Sequence, residues 1–245
     1  MKKIYSVLLL VSLSPLFSLA QTTKWFVTLT AAPGFGGPAG SIKSKMEGQG
    51  YADQEDNAII GFTWSRDYPI KSVAPALLLK GGFKQKESRS IYFIAGVSSG
   101  TVEGFKKEGA DYSWYPLIGG TTGSYVDYEY NLYQLGAGYE YAFKNTRTRL
   151  SVGPSVFIYN YKLSGFGPIQ EKTSFIPGLN LNMRFPLGKE KRLFGVELFT
   201  DLNLAPPAQT KGLYSNEGGK INKFSPGSVN MVHGSAGLAF AFRRK

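Results

Sequence analysis

The single histidine of the chain, His233, stands in the stretch "HGS" with Ser235 two residues on. On a strand that spacing puts both side chains on one face, where an imidazole can take the proton of a serine hydroxyl and make it a nucleophile. The stretch "DQEDN" gathers Asp53, Glu55, Asp56 and Asn57, hard oxygen donors of the kind calcium takes. Neither the loop glycine nor the distal bidentate acid of an EF-hand follows in register, so a solvated acidic turn is the expectation and no metal is assigned. The glycine-rich "GFGGPAG", 34–40, lacks the full spacing of a phosphate cradle and is read as flexible loop with no helix behind it. The segment 104–124 mixes Lys106 and Lys107 with Tyr112, Trp114 and Tyr115. Cations beside exposed rings make a surface for glycan or protein contact, and the same rings can equally pack against neighbouring structure. None of these stretches implies a cofactor.

The elements that would position these groups begin after residue 20. The opening "MKKIYSVLLLVSLSPLFSLA" sets Lys2 and Lys3 before a short apolar run broken by Pro15 and ends on Ser18-Leu19-Ala20. That is the pattern of a secretory signal peptide cleaved after Ala20, too short for a membrane-spanning helix. Residues 21–245 are then read as one domain. Without Lys2 and Lys3 the Lys and Arg count falls from 28 to 26 against 17 acids, a formal charge of +9. In an exported protein such a balance points to lipid headgroups, lipopolysaccharide phosphates or acidic glycans and away from nucleic acid. Cysteine is absent, which excludes a disulfide framework, a thiolate metal site and a lipidated cysteine.

Period two organises the rest. In "SFIPGLNLNMRFPLG", Phe175, Leu179, Leu181, Met183, Phe185 and Leu187 share one parity, opposite Asn180, Asn182 and Arg184. "RLFGVELFTDLNL" repeats the plan with Phe194, Val196, Leu198 and Leu202 against Glu197 and Asp201, and "PLGKEKR" turns the chain between them. The stretches around "KNTRTR" and "KQKESR" are hairpins of the same kind, each closed by a tight basic turn. A hairpin with one apolar face fits a water-soluble sandwich or a membrane barrel. The rings separate the two: Trp25, Phe83, Phe93, Tyr141, Phe143, Phe185, Phe194, Phe240 and Phe242 all sit at the tight-turn ends of their strands. This is the layout of an aromatic girdle at one membrane interface, whereas a sandwich core spreads its rings along the strands.

The expected fold is therefore all-β: a transmembrane antiparallel up-and-down β-barrel with short periplasmic turns and long extracellular loops. Eight strands are counted, about 24–35, 74–84, 90–103, 124–143, 147–162, 173–187, 191–204 and 230–243. The strand-like stretch 57–68 is placed as an excursion in the first long loop; a partner from 40–52 would raise the number to ten. In the fourth strand the apolar parity changes, from Val126, Tyr128, Tyr130 and Leu132 to Leu135 through Phe143. A β-bulge near 132–134 is expected, or else residues 125–132 stand above the membrane as a solvated hairpin extension.

With the signal peptide, hairpin plan, girdle and closing strand "SAGLAFAFRRK", the chain resembles the small outer-membrane β-barrel proteins of the outer membrane protein beta-barrel domain type, similar in architecture to OmpA-like and OmpX-like barrels. The resemblance implies the outer membrane of a Gram-negative bacterium, a surround of outer-membrane lipid and lipopolysaccharide, and delivery by the outer-membrane assembly machinery. That machinery reads an aromatic-ending last strand; here Arg243, Arg244 and Lys245 follow the aromatic and are read as a periplasmic tail. An eight-stranded barrel is narrow enough to be filled by its own side chains. The inward parity supplies Lys80, Glu140, Arg184, Glu197 and Asp201, expected to form a charge network that plugs the lumen, with a small channel or a soluble lipid-binding barrel as alternatives. The His-x-Ser element also resembles that of outer-membrane lipid A deacylases. In those enzymes the dyad faces the membrane and an acid orients the histidine, whereas parity turns His233 and Ser235 inward. A structural or surface-interaction role is therefore the main expectation and a lipid-modifying hydrolase the alternative.

Overall fold

The computed structural model describes residues 24–59, 62–68, 74–86, 88–107, 123–188, 193–217 and 220–243, with the backbone alone for 53–59, 62–68, 107, 123, 217 and 220–222. The segment 1–20 and the loop rings Tyr112, Trp114 and Tyr115 lie outside the described residues, as do the side chains of Asp53, Glu55, Asp56 and Asn57. Eight strands form a closed antiparallel ring: β1 (Trp25–Gly36), β4 (Ala74–Lys86), β5 (Arg89–Lys107), β6 (Gly123–Ala142), β7 (Arg149–Gly165), β8 (Gln170–Leu187), β9 (Phe194–Leu204) and β14 (His233–Arg243). Each strand pairs with its neighbours in chain order, and β1 pairs with both β4 and β14, so no strand of the ring is left with a free edge.

Outward positions near the tight turns are apolar and exposed: Leu77 and Leu79 on β4, Val152 and Val156 on β7, Leu179 on β8, Leu198 on β9, Leu238 and Phe240 on β14. Their inward neighbours are buried and polar: Lys80, Ser151, Ser155, Asn180, Arg184, Glu197 and Ser235. Nothing but a hydrocarbon surround makes such an exterior favourable, because each exposed Leu or Phe would otherwise forgo about 1.5–3 kcal/mol of burial.

Further from the tight turns both faces change character. On β6 the outward residues run Tyr141, Tyr139, Leu135 and then Asn131, Glu129 and Asp127; the inward ones run Glu140, Gln134 and then Leu132, Tyr130, Tyr128 and Val126, all buried. β7 does the same: outward Val152 and Val156 give way to Asn160 and Lys162, and inward Ser151 and Ser155 to Phe157, Tyr159, Tyr161 and Leu163. The bulge expected at 132–134 is absent. Leu132, Tyr133 and Gln134 pair in unbroken register with Ser98, Val97 and Gly96 on one side and with Tyr159, Ile158 and Phe157 on the other. Apolar parity changes because the medium changes: once the barrel wall rises out of lipid, water claims its outer face and the apolar side chains turn inward. Residues 125–132 thus stand above the membrane, as the second of the two readings expected, and do so as a continuation of the barrel wall paired with β5 and, from Val126, with β7.

The upper interior is an apolar core roofed by loop structure. Helix α1 (Gly37–Gly48) follows β1 directly and buries Ala39, Ile42 and Met46 against it. This overturns the reading of "GFGGPAG" as loop with no helix behind it. Gly36 and Gly37 both have positive φ, 72° and 63°, which lets the chain turn from strand into helix, and Pro38 suits the first turn. The helix N-terminus is not open to an anion: the Gly37 N–H donates to the Val232 carbonyl (2.8 Å).

β2 (Asp53–Ile59) pairs only with β3 (Phe62–Tyr68), so 57–68 is an excursion and the ring keeps eight strands; the segment 40–52 is mostly helix. The loop after β9 is built of two nested pairs, β10 (Ala208–Gln209) with β13 (Ser228–Val229) and β11 (Leu213–Glu217) with β12 (Lys220–Phe224). It buries Leu213, Phe224, Val229 and Met231 in the same core. The roof is tied down by Lys45 donating to the Pro226 carbonyl, by Asn230 N–H to Ser41 Oγ (3.0 Å) and by Lys211 N–H to Tyr161 Oη (2.8 Å).

Candidate functional site

Inward parity on β4, β6, β7, β8, β9 and β14 delivers ionisable side chains to one level of the lower lumen. Glu140 Oε2 lies 2.9 Å from Lys80 Nζ and accepts hydrogen bonds from Ser151 Oγ (3.1 Å) and from Arg184 Nη2. Its Oε1 lies 3.3 Å from Arg149 Nη1. Arg184, fully buried, also reaches Glu197 Oε2 (3.1 Å) through Nη1 and donates to Thr28 Oγ1 (2.6 Å), and its guanidinium lies 5.0 Å from the Phe26 ring centroid. Arg243 closes the other side of Glu197. Lys80 donates to Ser151 and to Asn182 Oδ1 (3.2 Å), with Tyr92 beneath it at 4.2 Å. Two carboxylates thus serve four cations, and Thr28, Ser151 and Asn182 accept further hydrogen bonds from Arg184 and Lys80, the pairing that charges withdrawn from water require; Arg184 Nε alone of its guanidinium nitrogens has no hydrogen-bond partner among the described residues.

Asp201 is held apart from that level. Its Oδ1 accepts from Asn180 Nδ2 (2.6 Å) and its Oδ2 from Asn203 Nδ2 (2.6 Å), while Gln134 Nε2 reaches Asn203 Oδ1 (2.9 Å). Of the expected lumen charges, the structure brings Lys80, Glu140, Arg184 and Glu197 together and sets Asp201 among amides. Arg149 and Arg243 were missed as lumen residues, one taken for turn and the other for periplasmic tail. Parity could have found both: Arg149 shares its face with Ser151, and Arg243 shares its face with Ala239 and Ala241.

Between the polar levels and the apolar core lies a cavity of about 20 Å³, lined by Asp201, Asn203, Gln134, Ser98, His233 and Ser235. That is room for about one water molecule. Register sets Ser235 opposite Asp201 and His233 opposite Asn203. His233 Nδ1 lies 2.9 Å from the Met231 carbonyl, and its ring meets Phe157 edge-on at 5.4 Å. Donation by Nδ1 to that carbonyl leaves Nε2 as the basic nitrogen. Among the described residues no hydrogen bond joins His233 to Ser235 or to Asp201. The histidine and serine are thus on one face, yet no dyad is assembled, and a one-water cavity has no space for an acyl chain.

Outside, Trp25 and Phe194 pack on Phe242 (5.3 and 4.8 Å), and Tyr141 meets Phe143 edge-on at 5.0 Å. Phe93, Phe194 and Phe240 are among the more exposed side chains, and Phe83 and Phe185 stand outward on β4 and β8.

A closed eight-stranded antiparallel ring with an apolar outer belt, a polar charged interior, short turns at one end and long loops at the other defines an outer-membrane β-barrel. Its fold is that of the small outer-membrane β-barrel proteins. No family model matches the chain, and no curated protein does. Among solved structures it is similar to Ail, the attachment invasion locus protein of Yersinia pestis, at 10% identity over 91% of this chain and 99% of that one, TM-score 0.43. It is also similar to the translocator domain of the autotransporter NalP from Neisseria meningitidis, at 9% identity over 99% and 98%, TM-score 0.42. A third similar structure is the outer membrane protease OmpT from Escherichia coli, at 9% identity over 91% and 94%, TM-score 0.40.

Proposed function

We propose that the protein is a closed, non-conducting outer-membrane barrel that acts at the cell surface by contact, through the wall and loops that rise above the lipid. The observation that carries this proposal is the filled interior. Glu140, Glu197 and their four cations occupy the lower lumen, amides the middle, and an apolar core under α1 the top. The test is conductance of the refolded protein in a planar bilayer. No stable opening is expected, and steady steps of porin size would overturn the plugged lumen.

The contact surface is assigned to the loop carrying Tyr112, Trp114 and Tyr115, with an acidic surface glycan or a protein as partner. Replacing the three rings with alanine is expected to abolish binding of the purified barrel to a glycan array or to host-cell surface protein, and unchanged binding would remove that assignment. Export with cleavage after Ala20, lipopolysaccharide around the upper belt, and insertion by the outer-membrane assembly machinery belong to the same proposal. Mature protein beginning at Gln21 is the expected result of N-terminal sequencing.

One observation favours a second role. Ser235, Asp201 and His233 line one small cavity, so a rearrangement that opened it would expose the parts of a hydrolase. Deacylation of lipid A by the wild type, lost on His233→Ala, would support that role, and activity retained by the variant would end it.

A further inference from the structure

The tight-turn end of the barrel carries a concentration of positive charge that neither the lumen nor the surface loops account for. In sequence, Lys24, the turns 84–89, 144–149 and 188–192, and the end 243–245 hold thirteen of the 26 Lys and Arg of residues 21–245 and two of its 17 acids. Arg149 and Arg243 belong to the lumen network; without them these stretches carry +9 in sequence, and the rest of the mature chain, those two included, carries no net charge.

Six of these cations are described and exposed: Lys24, Lys84, Lys86, Arg89, Lys144 and Arg147. They fall on or beside β1, β4, β5, β6 and β7, which are consecutive neighbours in the ring, so they form one arc. Backbone hydrogen bonds knit the arc laterally, Lys84 N–H to the Lys24 carbonyl and Ala142 N–H to the Ser88 carbonyl, both 2.8 Å. Arg147 extends it toward β8 by donating to the Gly188 carbonyl (3.4 Å). Among the described residues the acids at this end, Glu140 and Glu197, are buried in the lumen network and do not offset the arc.

The height of the arc names its partner. Four of the six cations sit beside a ring of the outer belt: Lys24 next to Trp25, Lys84 next to Phe83, Lys144 next to Phe143, and Arg89 opposite Tyr141 in register. Rings of this kind settle where acyl chains meet headgroups, which puts the neighbouring ammonium and guanidinium groups level with lipid phosphates. A soluble acidic partner has no reason to be met at that level around the rim of the barrel. A zwitterionic lipid brings its own cation with its phosphate, whereas an anionic phospholipid presents an uncompensated phosphodiester, the group that Lys and Arg bind by charge-assisted hydrogen bonds. We propose that the periplasmic end of the barrel is a collar that gathers anionic phospholipids from the inner leaflet of the outer membrane.

The test uses residues 21–245 with Trp64→Phe and Trp114→Phe, so that Trp25, inside the collar, is the sole indole. The protein is refolded into phosphatidylcholine vesicles containing either brominated phosphatidylglycerol or brominated phosphatidylcholine, and quenching of Trp25 gives the relative affinity of the two lipids for the barrel surface. Phosphatidylglycerol is expected to be preferred by about threefold or more at low salt, through the attraction of several clustered cations. In about 0.5 M NaCl, where screening acts within a few ångströms, the preference is expected to fall toward one. Lys84→Gln, Lys86→Gln, Arg89→Gln, Lys144→Gln and Arg147→Gln together are expected to abolish it while heat-modifiable migration is kept. A ratio of one in the parent, a preference indifferent to salt, or a preference unchanged in the five-site variant would each overturn the collar. The parent's salt titration reads the proposal even if the five-site variant does not fold.

Discussion

Glu140 is the hinge of the lumen network, and Glu140→Gln tests it with almost no change of shape. At an effective dielectric of ~20, one unit charge 2.9 Å from another, the separation of Lys80 from Glu140, is attracted by about 6 kcal/mol, and one at the 3.3 Å of Arg149 by about 5 kcal/mol. Most of that offsets the desolvation of the ions themselves. What a single substitution exposes is the cost of leaving Lys80 and Arg184 buried around a neutral amide, about 3–5 kcal/mol. Equilibrium unfolding in urea, from phosphatidylcholine vesicles and followed by tryptophan fluorescence, is the assay. With a slope of ~3 kcal/mol/M, a loss of about 4 kcal/mol moves the midpoint down by roughly 1.3 M. Adding Lys80→Met removes one of the stranded cations and is expected to recover at least ~1 kcal/mol, so the two changes are strongly non-additive. A midpoint shift under ~0.3 M for Glu140→Gln, or strict additivity with Lys80→Met, would refute the assignment of the network as the polar keystone of the barrel.

Three further outcomes follow from other levels of the structure. Phe157→Ala empties the fully buried centre of the upper core and is expected to cost about 3–5 kcal/mol in the same assay, while barrel insertion persists because the lipid belt is untouched. Gly153 faces the β6 backbone so closely that a Cβ there would lie 2.1 Å from the Ala137 carbonyl oxygen. Gly153→Ala is expected to block refolding, read as loss of the fast-migrating folded band on an unheated gel. Asp127 stands above the membrane directly opposite Glu103, with Glu129 on the same face, and its carboxyl is raised above the ordinary 3.8, first by burial and then by Glu129 and Glu103, with Lys162 acting the other way. The folded chain therefore holds that proton more tightly than the unfolded chain does, and stability falls as pH rises from 3.8 through the folded value. Asp127→Asn is expected to remove that fall and to stabilise the protein at neutral pH. The effect is expected to shrink in added salt, because the group is partly exposed and Glu129 beside it is exposed.

Alternation alone made the barrel legible. A strand shows its two faces every second residue, so Leu179, Leu181 and Met183 against Asn180, Asn182 and Arg184 reveal one apolar and one polar side without any knowledge of neighbours. The basic turns and the rings beside them mark which end is which, and three such hairpins with the first and last strands make eight. The inward parity also picks out Lys80, Glu140, Arg184 and Glu197 before any pairing is known. What it does not carry is who meets whom: Arg149 and Arg243 read as turn and tail because their partners, Glu140 and Glu197, are supplied by neighbouring strands through register. Helix α1 was hidden for a related reason. Ala39, Ile42 and Met46 are too few and too weakly apolar to announce a helix, and it is the apolar barrel mouth that makes their face worth burying.

The change of phase on β6 marks the boundary between the two kinds of information most sharply. The chain states that apolar residues move from the even to the odd parity near residue 133, and this follows from composition and order alone. Whether the backbone slips by one residue or the surroundings exchange places is a question of height above the membrane, and height is a property of the assembled barrel. The unbroken pairing of β6 with β5 and β7 shows that the backbone holds its register. Local alternation therefore established the strands and their faces. Only closure of the ring decided which medium each face meets, because burial depends on every strand at once.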